Sequence, residues 1–198
     1  MTAGVHIVRE PAELRSFDIA PGFFAITRSA ELRALFTDIL GLGAAITVAV
    51  DRSMLIGYAA DLPFVPVQWE HGEVQRRWSL VPQARELGAL EVARPFRGQG
   101  LARLLLEEMF SGGRLEDRIV IAEGLHWHWD LEQSGLSVAE ARQRLLALFG
   151  GEGFQRYDTD EPEVSYSPGN FLLARLGAQV AEESVRAFRE ALFSRGAK

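Results

Sequence analysis

Residues 90–110 restrict the fold more than any other part of the chain. The apolar and β-branched run Leu87–Ala93 is a strand signal. Pro95, Gly98 and Gly100 interrupt it, and Leu101–Phe110 follows at once with Leu101, Leu104, Leu105 and Met109 on one side of a predicted helix. A strand, a glycine-bearing turn and a helix in immediate succession belong to an α/β fold. The turn also has a chemistry. The first amides of a helix have no carbonyl partner within it, and the helix dipole adds partial positive charge there, so an anion is favoured. Gly98 and Gly100 let the backbone approach a ligand, and Arg97 adds a fixed positive charge beside it. That combination suits a pyrophosphate.

Several loop types bind phosphate in this way. A dinucleotide fingerprint needs a third glycine at position 103, where this chain has Arg103. A P-loop needs Gly-Lys-Ser/Thr, and Gly100 is followed by Leu101 and Ala102. What remains, Arg97-x-x-Gly100-x-Ala102, resembles the acetyl-CoA pyrophosphate loop of the GNAT N-acetyltransferases, although an ordinary strand-to-helix turn with surface arginines has the same outline. The resemblance implies acetyl-CoA as co-substrate. Val92 and Ala93 would offer backbone contacts to the acetyl-pantetheine arm, and Arg97, Gly98, Gln99, Gly100, Leu101 and Ala102 would hold the pyrophosphate. It also implies a mixed, mostly antiparallel sheet with splayed central strands and helices on both faces.

At 198 residues the chain can build one domain with a full core, burying about 70% of the surface that its unfolded form exposes. Nearly half of its residues are apolar. No cationic-then-apolar leader and no run long enough to cross a bilayer is visible, so a cytoplasmic location and no membrane partner are expected. The absence of cysteine removes disulfides, thiolate-bound zinc and a thiol nucleophile, which leaves direct acyl transfer or transfer through another residue. A net charge of −6 argues against nucleic acid as partner and suits a basic substrate. Lys198 is the only lysine, so an enzyme that acetylates lysines could hardly modify itself.

Further elements follow from pattern. Val5–Val8 reads as a strand, residues 12–17 as a short helical piece, and Phe23–Ile26 as ambiguous. Ser29 is placed as the N-cap of a helix to about Leu40, closed by Gly41-Leu42-Gly43. Ala45–Val50 and Leu55–Ala60 form a hairpin. Residues 63–85 are expected to be a loop, long enough to suspect a lid. Arg118–Glu123 and Phe154–Tyr157 are strands, and Val138–Phe149 is a helix. Pro168-Gly169-Asn170 is read as opening a helix that ends at Gly177, and a last helix covers Glu182–Phe193. The expected organisation is a single domain over 1–198, with an inserted Trp/His segment and helix at about 124–167 and a C-terminal helix.

Three segments resemble the acetoin-utilisation acetyltransferase family (AcuA). They are Glu86–Ala93, His126-Trp127-His128-Trp129-Asp130-Leu131, and Thr159–Glu163 running on to Pro168-x-Asn170 and Ala174-Arg175-x-Gly177. The resemblance reaches from Glu86 to the C-terminal helix. It implies direct transfer from acetyl-CoA to a protein lysine, with acetyl-CoA synthetase as the acceptor that acetylation switches off. A GNAT enzyme acting on a small amine, and a non-catalytic module that senses acetyl-CoA, stay open as alternatives. The sequence does not specify an oligomeric state.

An amine acceptor is protonated at neutral pH and must lose a proton before it attacks. Glu86 and Glu91 are the candidate catalytic carboxylates. Their odd spacing on one strand turns them to opposite faces, so at most one faces the acceptor; Glu91 is preferred because it adjoins Val92. Tyr157 and Tyr166 are candidate donors to the leaving thiolate, each with packing or surface as the plainer role. His126, His128 and Asp130 would share one face if extended, as in metallo-hydrolases. The next residue, however, is Leu131 and only His6 and His71 remain elsewhere, so no metal is expected. Trp127, His128 and Trp129 are instead expected to wall an acceptor groove or pack into the core. Asp160 and Glu161, within the acidic run from Asp158 to Glu163, would attract a basic substrate or simply face solvent. Asn170 would cap a helix or contact the pantetheine arm.

Overall fold

A computed structural model describes residues 3–25, 28–64, 67–69, 72–74 and 77–193. The chain divides into two compact units, Met1–Leu62 with Leu87–Arg114, and Pro63–Glu86 with Leu115–Lys198.

The first unit begins with strand β1 (Gly4–Val8), a 3-10 turn (Pro11–Ser16), β2 (Asp18–Ile19) and helix α1 (Ser29–Gly41). Leu32, Phe36 and Leu40 recur every fourth residue along α1 and are buried. Ser29 is the first helical residue rather than the cap. Arg28 takes the cap position, and the Ser29 hydroxyl accepts the Phe23 N–H at 3.3 Å. The hairpin β3 (Ala45–Asp51) and β4 (Met54–Pro63) forms as its pattern predicts, with Ala45 opposite Asp61 and Arg52 in left-handed backbone at the turn. β1 pairs antiparallel with β3, and β2 runs parallel to β4. Helix α2 (Leu101–Phe110) has the predicted bounds. Its buried face is Leu101, Leu105, Leu106 and Met109; Leu104, expected inside, is 41% exposed. Met109 and the also buried Phe110 turn the core-facing stripe of this 3.6-residue helix toward position 106 and away from 104.

Strand β7 (Ala84–Val92) gives its last six residues to the first unit, where the strand order is β1-β3-β4-β7. In the second unit its first residues pair in parallel with β8 (Ile119–Gly124), Ala84 opposite Ile119 and Glu86 opposite Ile121. The sheet continues through β10 (Phe171–Leu176) to β9 (Gln155–Tyr157), both antiparallel. The result is an open, mostly antiparallel sheet in a mixed α/β fold, as the family resemblance implies. Between them lie α3 (Leu131–Ser134), α4 (Val138–Gly150) and α5 (Pro162–Ser165), and α6 (Glu182–Ala191) follows. Ser137 caps α4 reciprocally with Glu140.

The expected helix at 170–177 is strand β10. Phe171, Leu172, Leu173 and Ala174 are all buried, so neither face of the segment shows the polar alternation that would mark a strand in sequence. Its first residue fixes a glycine on the neighbouring strand. A Cβ at Gly124 would overlap the Phe171 ring, which lies directly across the ladder.

Residues 63–85 are not a continuous loop. Among the described residues they hold the hairpin β5 (Val67–Trp69) and β6 (Gly72–Val74), a 3-10 turn at Arg77–Leu80 and the start of β7. The core of this unit gathers Trp78, Ile119, Ile121, Leu172, Ala174 and Phe188. Trp78 satisfies its buried indole by donating to Glu123 Oε1 at 2.7 Å. Ile26 and His71, and the C-terminal Lys198, lie outside the described residues. Among those described, no helix is long and apolar enough to cross a membrane.

Candidate active site

β7 ends in the buried residues Glu91 and Val92, and Ala93, which follows, is buried too. A 3-10 turn, Arg94–Phe96, then leads into the glycine loop. Gly98 and Gly100 have φ of 76° and 78°, left-handed backbone that L residues rarely adopt, and nothing lies within 4 Å of where a Cβ would stand on either. Conformation, not crowding, therefore selects glycine here, and the space above both residues is open. Gly100 is the N-cap of α2, and its carbonyl accepts the amides of Arg103 and Leu104. Gly98, Gln99 and Gly100 are exposed and Ala102 is half-buried. Leu101 sends its side chain into the core, so only its backbone can serve a ligand.

The two backbone positions expected to meet an acetyl-pantetheine arm are already engaged. The Ala93 N–H donates to the Ile56 carbonyl at 2.9 Å, and the Val92 carbonyl accepts Arg97 Nε at 2.9 Å. Arg97 is thus folded back onto the strand that precedes it, which fixes its charge beside the turn.

Glu91, 5% exposed, sits at a junction. Its Oε1 accepts the backbone N–H groups of Phe24 (2.8 Å) and Ala25 (3.1 Å), and its Oε2 accepts the Tyr58 hydroxyl (3.2 Å). Tyr58 is buried too. Burial first, and then the Glu91 charge beside it, push its phenol well above the ordinary tyrosine range. This tyrosine was not singled out from sequence, since it lies inside the apolar run Leu55–Ala60, where any aromatic reads as core. Glu86, in the other unit, is half-buried and has interactions of its own.

The Trp/His segment is a 3-10 turn at His126–His128, not an extended run, so His126, His128 and Asp130 do not share a face by strand alternation. Among the described residues no cluster of His, Asp or Glu is arranged to hold a metal. Asn170 organises this turn. Its Oδ1 accepts the His126 amide at 2.9 Å and lies 2.8 Å from His126 Nδ1, while its Nδ2 donates to the Glu163 carbonyl at 2.7 Å. It opens β10 rather than capping a helix. Trp129 packs against Phe171, whereas His128 and Trp127 are exposed. Trp127 meets Tyr166 edge-on, with ring centroids 6.0 Å apart and planes at 80°. These two rings, Pro162 and Glu163 line a surface cavity of about 520 Å³.

Asp160 and Glu161 are both bound to Arg77, at 2.5 and 2.9 Å, and Arg77 also reaches the Leu192 carbonyl. These carboxylates secure a turn within their unit. Tyr157 packs edge-on against Phe188 in the core, where burial raises its phenol; Tyr166 is 80% exposed.

No family model matches the chain. It is 32% identical over 180 residues to acetoin utilization protein AcuA of Bacillus subtilis, covering 90% of this chain and 82% of that one. To the same protein of Bacillus licheniformis it is 30% identical over the same shares. The crystal structure of an acetoin utilization protein from Exiguobacterium sibiricum superposes with a TM-score of 0.86 at 29% identity, covering 98% of this chain and 97% of that one. YncA of Salmonella typhimurium, solved with its cofactor acetyl-CoA, shares the fold at a TM-score of 0.54 and 14% identity over 91% of this chain and 98% of that one. Strand order and these likenesses agree: the chain belongs to the AcuA family of acetoin utilization proteins.

Proposed function

We propose that this protein moves the acetyl group of acetyl-CoA directly onto a lysine ε-amine of a protein acceptor, and that acetyl-CoA synthetase is the acceptor it regulates. In this reading it is a GNAT-type N-acetyltransferase with acetyl-CoA as co-substrate, which the fold it shares with the acetyl-CoA-bound YncA supports. The observation that carries the reading is the left-handed Gly98–Gly100 turn opening into the ten-residue helix α2, with Arg97 anchored beside it. Exposed loop amides and a helix N-terminus form a place for the pyrophosphate. In this reading Arg97, Gly98, Gln99, Gly100, Leu101 and Ala102 hold it, with Val92 and Ala93 shaping the strand end.

The chemistry exchanges one bond and takes two protons from the nitrogen. The acceptor ammonium loses one proton to a base, the amine lone pair forms the C–N bond at the thioester carbon, the C–S bond breaks, and the nitrogen sheds its second proton as the coenzyme A thiolate takes one up. Glu86 is the carboxylate we assign to the first step. Glu91, preferred from sequence alone, already accepts three hydrogen bonds and is almost fully buried, whereas Glu86 is partly open to solvent.

On the acceptor side the cavity between Trp127, Pro162, Glu163 and Tyr166 suits an alkyl chain that ends in a cation. Two ring faces at right angles offer cation–π attraction and Glu163 supplies the opposite charge. That chemistry supports a basic side chain on a protein surface. Trp127 and Glu163 then replace Asp160 and Glu161 as the proposed contacts, because Arg77 holds the latter pair.

Purified protein is incubated with radiolabelled acetyl-CoA and the host's soluble proteome, with acetyl-CoA synthetase in parallel. One dominant labelled protein that comigrates with the synthetase, and loses the label in Glu86→Gln, is the expected result. Label that moves only into small amines, or stays on the cofactor, overturns the assignment.

A further inference from the structure

We infer that Glu91 is a positioning residue for the cofactor loop: it docks the Phe24–Ala25 backbone onto the end of β7, and the Phe24 ring then seats the two arginines that flank the turn. The inference rests on the reading that Arg97–Ala102 holds the acetyl-CoA pyrophosphate.

The links form a closed chain within one unit. Glu91 Oε1 accepts both the Phe24 and the Ala25 amide, an arrangement that fixes a backbone segment far more tightly than one bond would. The phenyl ring of Phe24 lies beneath two guanidinium groups, Arg94 at 4.3 Å and Arg97 at 5.3 Å from the ring centre. Arg97 is tied in turn to the carbonyl of Val92, the residue after Glu91. The same segment is pinned a second time, where the Arg94 amide donates to the Gly22 carbonyl at 3.2 Å. Gly22 has a φ of 99° there, and a Cβ would come within 3.1 Å of the Arg94 nitrogen.

The carboxylate is the keystone because of where it sits. It is buried, and its second oxygen takes the Tyr58 hydroxyl, itself buried against Phe23 and Phe36. Two like charges on one ring also need a reason to be there. Arg94 and Arg97 held side by side make a positive platform at the mouth of the glycine turn, which a diphosphate would neutralise. Phe24 prevents the two side chains from dispersing, at a site that Glu91 sets.

Acetyl-CoA binding by titration calorimetry, with no acceptor present, tests this apart from turnover. Phe24→Leu keeps the backbone amides that Glu91 accepts and removes the ring. It should weaken acetyl-CoA about three- to tenfold, the size of a partly desolvated cation–π contact. Phe24→Tyr, which keeps the ring, should restore the affinity. Glu91→Gln should raise KM for acetyl-CoA by a similar factor, with a smaller fall in kcat and no change in the acid limb of the pH–rate profile. In the double variant the effects should not add, since both act through one ring. The proposal is overturned if Glu91→Gln removes turnover and the acid limb while acetyl-CoA affinity holds, or if Phe24→Leu leaves affinity unchanged. Gly100→Glu separates the two levels. If it abolishes binding while Phe24→Leu is silent, the loop assignment stands and the positioning role falls. If Gly100→Glu binds normally, the loop assignment itself is wrong.

Discussion

Single residues carry most of the specificity in this fold, and the pair Tyr58–Glu91 shows how. The Tyr58 phenol holds its proton well above the usual tyrosine range because it is buried and because the Glu91 charge would oppose a phenolate. A group whose folded pKa is raised adds stability that is complete below its unfolded value, about 10, and is lost as pH climbs through the folded one. Urea unfolding followed from pH 8 to pH 11 should therefore show stability falling above about pH 10, with a shallower fall in Tyr58→Phe. At pH 7 that variant should lose about 1–3 kcal/mol, because Glu91 Oε2 is left without its hydroxyl donor in a buried site. Asn170→Ala is expected to cost a similar amount, since the His126 amide and the Glu163 carbonyl both lose their partner. Neither role could be read from sequence. The strand that holds Tyr58 is recognisable, but nothing in Leu55–Ala60 says which residue faces a carboxylate thirty-three positions later.

Elements were legible wherever periodicity separates their faces. The α1, α2 and α4 helices stand where pattern puts them, because each has one buried and one solvated side, and the β3–β4 hairpin, buried along most of both strands, is marked instead by the polar Asp51-Arg52-Ser53 turn between two apolar runs. β10 does not, since its four leading residues are buried alike and the glycine and asparagine before it imitate a helix start. The ladder makes its own prediction. In Gly124→Ala the new methyl has no room unless the Phe171 ring moves, so the substitution should destabilise by about 1–3 kcal/mol in chemical denaturation. An unchanged midpoint would show that the ring is free to swing away. In the segment that leads into β8, Glu116 accepts the Ala178 amide at 2.8 Å and pairs with Arg175, and these bonds hold its carboxyl below the usual range. A depressed carboxylate stabilises above its unfolded pKa, about 4.3, and its contribution disappears as pH falls through the folded value. Glu116→Gln should thus lower the unfolding midpoint at pH 7 and match the parent near pH 2, where both side chains are neutral.

At the scale of the whole molecule the glycine turn proposed to hold the cofactor was legible in sequence and the cavity proposed for the acceptor was not, for a physical reason. A pyrophosphate is met by backbone amides and left-handed glycines, which leave a fixed spacing in sequence, whereas an acceptor is met by side chains brought together from separate segments. Trp127 and Tyr166 are thirty-nine positions apart, and Asp160 and Glu161, the more conspicuous charges, turn out to belong to Arg77. Composition still constrains how the molecule behaves among its substrates. Of its 21 basic residues only Lys198 is a lysine, and a guanidinium, protonated and delocalised at neutral pH, is no acyl acceptor. Incubated alone with labelled acetyl-CoA, the protein should therefore carry label at no internal position, only at Lys198 or the N-terminal amine. Intact-mass analysis of Lys198→Arg should leave the N-terminus as the single site, with the rate of acceptor labelling unaltered. A label recovered on an internal hydroxyl instead, from Ser, Thr or Tyr, would point to an acyl-enzyme intermediate and overturn direct transfer. With neither cysteine nor internal lysine to hold an acetyl group, such an intermediate would have to form on a hydroxyl, a carboxylate or an imidazole.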